Sequence, residues 1–314
     1  MTTTTVRRGT KSRRRANIKK YLPIYLIVLP SLLYFFVFHY VPMAGLVIAF
    51  KKVSPFQGLD GVFTAPWVGL TYFKKFFNSY YFGNLMSNTI VISLKKLLWG
   101  FPAPVLLALL LNELRNEKFK RVVQTVSYLQ HFVSMVVLAG LVNTLLTTNG
   151  GVVNQLIAAL GGEPIYFLGQ PAYFHGVLVV SGIWKEAGWG TIIYLAAISG
   201  IDPALYEAAI VDGAGRLRRM WHITIPGISS IVVIMLILNV GRILNAGFEQ
   251  ILLLYSPPVY SVADIIDTYV YREGIVNLQY SFTTAVGLFK SVAALILVVS
   301  ANLVANRLGE QGIW

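Results

Sequence analysis

The sequence predicts an all-α protein that crosses a membrane six times. Three observations carry that expectation. Only 12% of the 314 residues are charged and 56% are hydrophobic, against roughly 25% charged in a soluble globular chain. Six apolar stretches are close to or longer than the about 20 residues a spanning helix needs. The 26 Lys and Arg residues lie mostly between those stretches, for a net charge of +13. That is the distribution of a membrane protein, not of a nucleic-acid-binding surface. It excludes a disordered chain and argues against a soluble enzyme. With no cysteine, disulfides, Cys-ligated zinc and thiol catalysis are excluded as well.

Taken in order, the first span is read at about Tyr21–Phe50, with Pro30 and Pro42 inside it. The second is read at about Asn84–Leu111, the third at Val122–Leu146 and the fourth at Tyr173–Gly200. The fifth runs from about Ile225 to Ala246 and the sixth from Phe282 to Val304. A basic arm, residues 1–20, precedes the first span. That span is too long for the apolar region of a signal peptide and is read as an uncleaved helix. Residues 21–83 form the first span with the segment after it, and 84–306 a core of five spans with a polar loop at 202–226. Residues 307–314 are a tail. Placing both termini in the cytoplasm puts sixteen Lys and Arg inside, five outside and five within spans. This asymmetry supports that orientation. The arm's charge is therefore topological, with contact to anionic lipid as its extension.

Catalytic signatures are missing. No phosphate-cradling Gly-x-x-x-x-Gly-Lys-Ser/Thr loop occurs, and Gly188-Trp189-Gly190 lacks the third glycine of a dinucleotide site. His39, His131, His175 and His222 do not pair at metal-ligand spacing, and no nucleophile elbow is present. No metal site and no catalytic residue is expected.

The loop at 202–226 is the informative stretch. Asp202-Pro203 is a cap followed by a first-turn proline, so a short helix is expected over 203–211. Asp212-Gly213 permits a sharp turn. A second short helix should fill 214–224, with Pro226 opening the next span. On physical grounds alone, this is either a docking helix-turn-helix or an ordinary polar loop.

Its wording is more specific. Glu207-Ala208-Ala209, Gly213, Ile223 and Pro226 reproduce the pattern Glu-Ala-Ala, three residues, Gly, nine residues, Ile-x-x-Pro, and Asp212-Gly213-Ala214 fits its usual form. The chain thus resembles the permease subunits of binding-protein-dependent ABC importers, whose EAA loop this is. Trp67-Val68-Gly69-Leu70-Thr71-Tyr72-Phe73, Asn88-Thr89, Leu106 to Asn112 and Ser181-Gly182-Ile183-Trp184 extend the resemblance over roughly residues 20–306. Phe38-His39-Tyr40-Val41-Pro42-Met43 and Gly100-Phe101-Pro102-Ala103-Pro104 are similar to the polysaccharide and complex-oligosaccharide branch of the carbohydrate permeases.

The resemblance implies a six-helix type I importer bundle in a bacterial cytoplasmic membrane. It implies a second permease subunit, two cytoplasmic ATPase subunits that bind Mg-ATP, and an extracytoplasmic sugar-binding protein. No cofactor is expected on this chain, nor a nucleic-acid partner. Glu207 would contact the ATPase, and Gly213 would let the loop turn.

Polar groups within spans are costly, on the order of 2.5–3.5 kcal/mol for a charge at mid-membrane. Asn239, Arg242, Asn245 and Glu249 share one face at 100° per residue. Trp184, Lys185, Glu186 and Trp189 lie on the fourth span, and Thr283, Gly287 and Lys290 on the sixth. The expectation is a sugar pathway lined by hydrogen-bonding groups and aromatic faces; the alternative is pairing inside the bundle. Lys95-Lys96 fits neither simply. Two other functions compete: an ion-coupled secondary transporter, which would need inverted repeats or paired broken helices, and a membrane receptor or scaffold.

Overall fold

The structure is a computed structural model. It describes residues 10–58, 60–307 and 309, with side chains from residue 21 onward. Positions 1–9 of the basic arm, with Arg7 and Arg8, and most of the tail lie outside the described residues. Every regular element described is helical, apart from one isolated antiparallel bridge between Lys51 and Trp67.

Helix α1 (Thr10–Phe35) starts eleven residues before the expected first span and runs on through a π turn at Phe36–Tyr40. A tight helical stretch, Ala44–Phe50, completes it. Pro42 has no amide hydrogen and its ring would strike the carbonyl four residues back, so the turn before it widens. The same device recurs at Met220–Thr224, before Pro226. Residues 21–44 are exposed in this chain, an apolar surface left for lipid or another subunit.

The short α2 (Thr71–Phe77) leads to α3 (Phe82–Asn112), an unbroken second span. The third span departs from expectation. It is two helices, α4 (Glu117–Leu129) and α5 (Met135–Leu146), and the Glu117–Phe132 segment makes a 104° bend with α5. Ser134 restarts the chain by accepting from the Val137 amide at 3.3 Å. On α4 the apolar Phe119, Val122, Val126 and Leu129 face outward, while Gln124, Ser127 and Tyr128 are turned inward. That reversal of the usual amphipathic order suits a helix whose solvent is hydrocarbon.

A small helix, α6 (Val152–Ala159), precedes the 29-residue α7 (Pro171–Ser199). A 72° bend separates α7 from α8 (Pro203–Val211), and a 60° bend separates α9 (Arg216–Gly227) from α10 (Ser229–Gly241). The fifth span is therefore shorter than expected: it stops at Gly241, not Ala246. Ile243–Asn245 form a tight turn, and Ala246 and Gly247 take left-handed conformations at φ 47° and 81°. The chain resumes as α11 (Phe248–Leu254), α12 (Ile266–Tyr271) and the long α13 (Tyr280–Arg307). Three helices are long and apolar enough to cross a membrane, and six spans result when each bent pair counts as one.

Three apolar clusters hold the bundle. Ala108, Leu109, Tyr194, Ile198 and Ile228 join α3, α7 and α10 near the 202–226 loop. At the opposite end, Phe76, Leu85, Ile266, Tyr269 and Phe282 join α2, α3, α12 and α13. The largest cluster lies on α3, α5, α7 and α11 and includes Ile92, Leu138, Phe174 and Ile251.

Each helix break frees backbone carbonyls that hydrocarbon cannot solvate. Lysines take them. The Lys185 ammonium donates to the His131 and Val133 carbonyls, both at 2.8 Å, across the break in the third span. Lys96 donates to the Ala246 carbonyl at 3.0 Å and to Gln250 Oε1 at 2.6 Å, beside the break after the fifth. Gly247 supplies the left-handed φ of 81° there, and a Cβ at this position would push aside Lys96 Nζ, 2.1 Å away. Lys51 caps a short helix outside the spans, Asp60–Thr64, at the Val62 and Phe63 carbonyls, 2.8 and 3.0 Å away. Lys95 differs: it is exposed and bonds His175 Nδ1 at 2.9 Å, whose Nε2 meets the Val262 carbonyl at 2.8 Å.

Replacing Lys185 with Met keeps the apolar stem but leaves two carbonyls bare, at about 1–3 kcal/mol in all. The assembled complex carrying Lys185→Met is expected to melt about 3–10 °C lower, by size-exclusion after graded heating. Lys95→Met should shift it by less than half as much. Equal melting of the two variants would show that Lys185 is not the cap of this break.

Candidate functional site

The 202–226 loop projects from the end of the bundle. Asp202 Oδ1 accepts from the Ala204 amide at 2.9 Å and caps α8, with Pro203 at its first position. The helix ends in a paired closure: the Gly213 amide bonds the Ile210 carbonyl at 3.0 Å and the Ala214 amide bonds the Ala209 carbonyl at 2.8 Å. Closure needs Gly213 at φ +75°, a left-handed conformation that costs a side-chain-bearing residue about 1–2 kcal/mol. Tyr206 and Thr224 meet through their hydroxyls at 3.0 Å, tying α8 to α9. The loop's shape is thus set by its own bonds.

Within that frame Glu207, Ala208 and Asp212 are exposed, Ala209 and Ile223 are half-buried, and Pro226 stands at the widened turn. Among the described residues Glu207 has no ion-pair or hydrogen-bond partner. On the same loop, Val211, Leu217 and Trp221 are 87, 71 and 63% exposed. An unpaired carboxylate on a loop that also exposes large apolar side chains has the composition of a protein-contact surface. Arg216 and Arg218 are exposed on the same loop.

The polar residues within spans fall into different arrangements. Asn239 is on α10 and donates to its own helix at the Met235 carbonyl, 2.8 Å away. Arg242 and Asn245 bracket the turn beyond Gly241, and Glu249 is on α11. The expected single helical face is therefore interrupted, because the helix ends between the first residue and the other three. All four are nevertheless exposed in this chain. Gln250, beside Glu249, is the buried one and was missed by sequence reasoning. Its Nε2 donates to Ser181 Oγ at 2.8 Å and the Leu178 carbonyl at 3.1 Å, while its oxygen takes Lys96. Only the break after Gly241 turns Gln250 inward, and no periodicity signals that break.

Trp184 and Trp189 sit on α7 against the break of the third span. Trp189 stacks on His131 with centroids 4.5 Å apart and planes 7° apart, and His131 Nδ1 meets Glu186 Oε2 at 3.1 Å. With its amide oriented to satisfy both groups, Gln130 donates to the Trp184 carbonyl and accepts from the indole at 3.2 Å. Lys290 on α13 is held by both oxygens of Asp267 on α12, at 2.6 Å each. These three side chains bind elements of the bundle together.

Asn88 and Thr89 pin the opposite end. Asn88 donates to the Ser261 and Asp264 carbonyls at 3.1 and 3.0 Å, and Thr89 accepts from the Ile266 amide at 3.1 Å. Asp264 in turn holds Arg272, with its closer oxygen 2.7 Å from Nη2. That hydrogen bond raises the guanidinium above its ordinary value against an opposing effect of burial. Among the described residues no cluster of three or more His, Asp or Glu side chains is arranged to hold a metal ion.

Comparison with known proteins follows the same lines. The chain is 49% identical over 308 residues to the polygalacturonan/rhamnogalacturonan transport system permease protein YteP of Bacillus subtilis, covering 97% of this chain and 94% of that protein. It is 48% identical to protein LplB of the same organism, covering 95 and 93%. A crystal structure of a bacterial ABC transporter importing the acidic polysaccharide alginate contains a chain that superposes with a TM-score of 0.87 at 43% identity. That match covers 94% of this chain and 99% of the other. A second structure, of the alginate transporter with a periplasmic protein bound to alginate pentasaccharide, matches at 0.87 and 42%, covering 95 and 99%. Residues 100–310, two thirds of the chain and all of the 202–226 loop, match one family, so this protein belongs to the binding-protein-dependent transport system inner membrane components.

Proposed function

We propose that this chain is one of two membrane-spanning subunits of an ATP-driven importer for an oligosaccharide or polysaccharide fragment. The carrying observation is the rigid 202–226 loop, with its free Glu207 and exposed apolar side chains at one end of the bundle. A loop held by its own closure moves as a unit with whatever grips it. Two cytoplasmic ATPase subunits that bind Mg-ATP are the proposed grips, one for this loop and one for that of the second permease. The exposed apolar surface of residues 21–44 supports a second membrane subunit. An extracytoplasmic binding protein delivers the sugar at the other end, and both chain termini lie in the cytoplasm.

In physical terms ATP binding and the loaded binding protein favour one conformation of the bundle and their release favours the other. Asn239, Arg242, Asn245 and Glu249, exposed around the end of the fifth span, are proposed to line the path. The polysaccharide class rests on the relatives, whose names cite pectic polymers and alginate.

Three measurements test this. Purified alone, the chain is expected to hydrolyse no ATP, and turnover by it would place a nucleotide site where no phosphate loop exists. Glu207→Lys reverses the charge offered by the loop, and Gly213→Trp forces a side chain into a left-handed turn. Both are expected to abolish uptake while the bundle still folds; normal ATPase co-purification and uptake by either would remove the loop from this role. Asn239→Leu and Asn245→Leu preserve size and delete hydrogen bonding. Uptake per assembled complex should change at least threefold, and Cys at either position should label from the aqueous phase, with the chain's lack of native Cys giving a clean background. Unchanged uptake without labelling would give these residues a packing role.

A further inference from the structure

The end of the bundle opposite the coupling loop carries a cleft of about 620 Å³ that the pathway residues do not line. It opens between the start of α3 and the segment leading into α12. Its walls are aromatic: Tyr80 and Tyr81 on one side, Tyr260 and Tyr269 on the other. Tyr80 is 94% exposed and stands edge-on to Tyr81 at 5.5 Å, and Tyr81 leans on Tyr269 at 5.9 Å. Tyr269 is buried and braced by the apolar cluster beneath it. The free ring faces are thus presented by a firm base.

Polar groups without partners line the same space. Asn84 lies one helical turn outward from Asn88 on α3. Asn88 is spent on backbone carbonyls, but among the described residues the Asn84 amide and the Ser261 hydroxyl have no hydrogen-bond partner, and both residues are exposed. Ring faces beside free amide and hydroxyl groups are the complement of a sugar ring, which offers apolar C–H faces and an equator of hydroxyls.

Charge then chooses among sugars. The cleft holds one guanidinium, Arg272, against two carboxylates, Asp264 and Glu273. Asp264 occupies both terminal nitrogens of Arg272, at 3.3 and 2.7 Å, and the rings of Tyr260 and Tyr269 flank the guanidinium at 5.8 and 5.6 Å. Glu273 brings a second carboxylate to the cleft with no cation paired to it among the described residues, one oxygen accepting from Gln279 at 2.6 Å. An entering carboxylate would meet a neutralised Arg and an unneutralised Glu. We infer that this cleft is a saccharide subsite at the entry face, built for a neutral glycosyl unit and selective against a uronate. The inference rests on the importer reading above and on the orientation it assigns.

Direct binding is measured on the complete complex in lipid nanodiscs without the binding protein. Import and affinity for the binding protein are measured on the same complex in proteoliposomes with the binding protein and ATP. Galactotetraose, xylotetraose, mannotetraose and tetragalacturonate are titrated by saturation-transfer NMR and calorimetry. At least one neutral tetrasaccharide is expected to bind more tightly than tetragalacturonate. Tyr80→Ala should weaken that binding about 3- to 10-fold, the range of one aromatic contact, and Tyr80→Phe should not. Asn84→Leu should weaken it by a similar factor. Tighter binding of tetragalacturonate, or neutral binding indifferent to both variants, overturns the subsite. A loss confined to affinity for the binding protein also overturns it and makes the cleft a protein contact. Failure of the wild-type complex to import any sugar, with neutral binding at the cleft intact, would instead count against the importer reading alone. Normal wild-type import with no effect of either variant would count against the subsite alone.

Discussion

The structure depends on a lysine ammonium reaching carbonyls that a helix has abandoned. A spanning segment that bends must strand backbone acceptors in a medium that offers no donor. Here Lys185 and Lys96 each supply two hydrogen bonds to acceptors at or near such a place. The exchange runs both ways: a lysine buried in an apolar bundle needs acceptors as much as the break needs donors. Without those caps the 104° bend of the third span and the turn after Gly241 would be open defects.

Those bends decide what the bundle can do. Because the third span folds back at Lys185, α7 packs against α4 and the turn that follows it along one side and against α3 along another. Its far end leads across a 72° bend into the 202–226 loop. The cluster of Ala108, Tyr194, Ile198 and Ile228 then joins the loop's base to α3 and α10. The loop is thus joined to three spans by packed side chains rather than by a flexible linker. At the other end, Asn88 and Thr89 anchor the segment that carries Asp264 and Arg272 to α3, so that face is tied to a helix that also packs beneath the loop.

The two kinds of polar group in the spans separate on this basis. Lys96, Gln250 and Ser181 form a closed network across α3, α11 and α7, with donors and acceptors matched. Lys290 with Asp267, and Trp189 with His131 and Glu186, are closed in the same way. Arg242, Asn245 and Glu249 are open, gathered around the end of the fifth span. Closed groups hold the bundle, and open ones remain available to a ligand or a second subunit.

How much was legible beforehand follows from the range of the forces involved. The sequence by itself determined the helical class, the approximate places of six spans and the local form of the 202–226 loop. Apolar length, the Asp202-Pro203 start and the Gly213 turn are local properties, read from neighbouring residues, and Gly213 indeed adopts φ +75°. Asn88-Thr89 was legible as a resemblance, though not as the clamp it forms. Only the tertiary structure decided where the spans break, which polar residues face inward and what each lysine holds. A 3.6-residue period assumes an unbroken helix, so it placed Asn239 and Glu249 on one face and overlooked Gln250. The breaks at residues 130–134 and 242–247 depend on Lys185 and Lys96, which lie more than 50 and about 150 positions away along the chain. That is a contact between distant segments, and no local pattern encodes it.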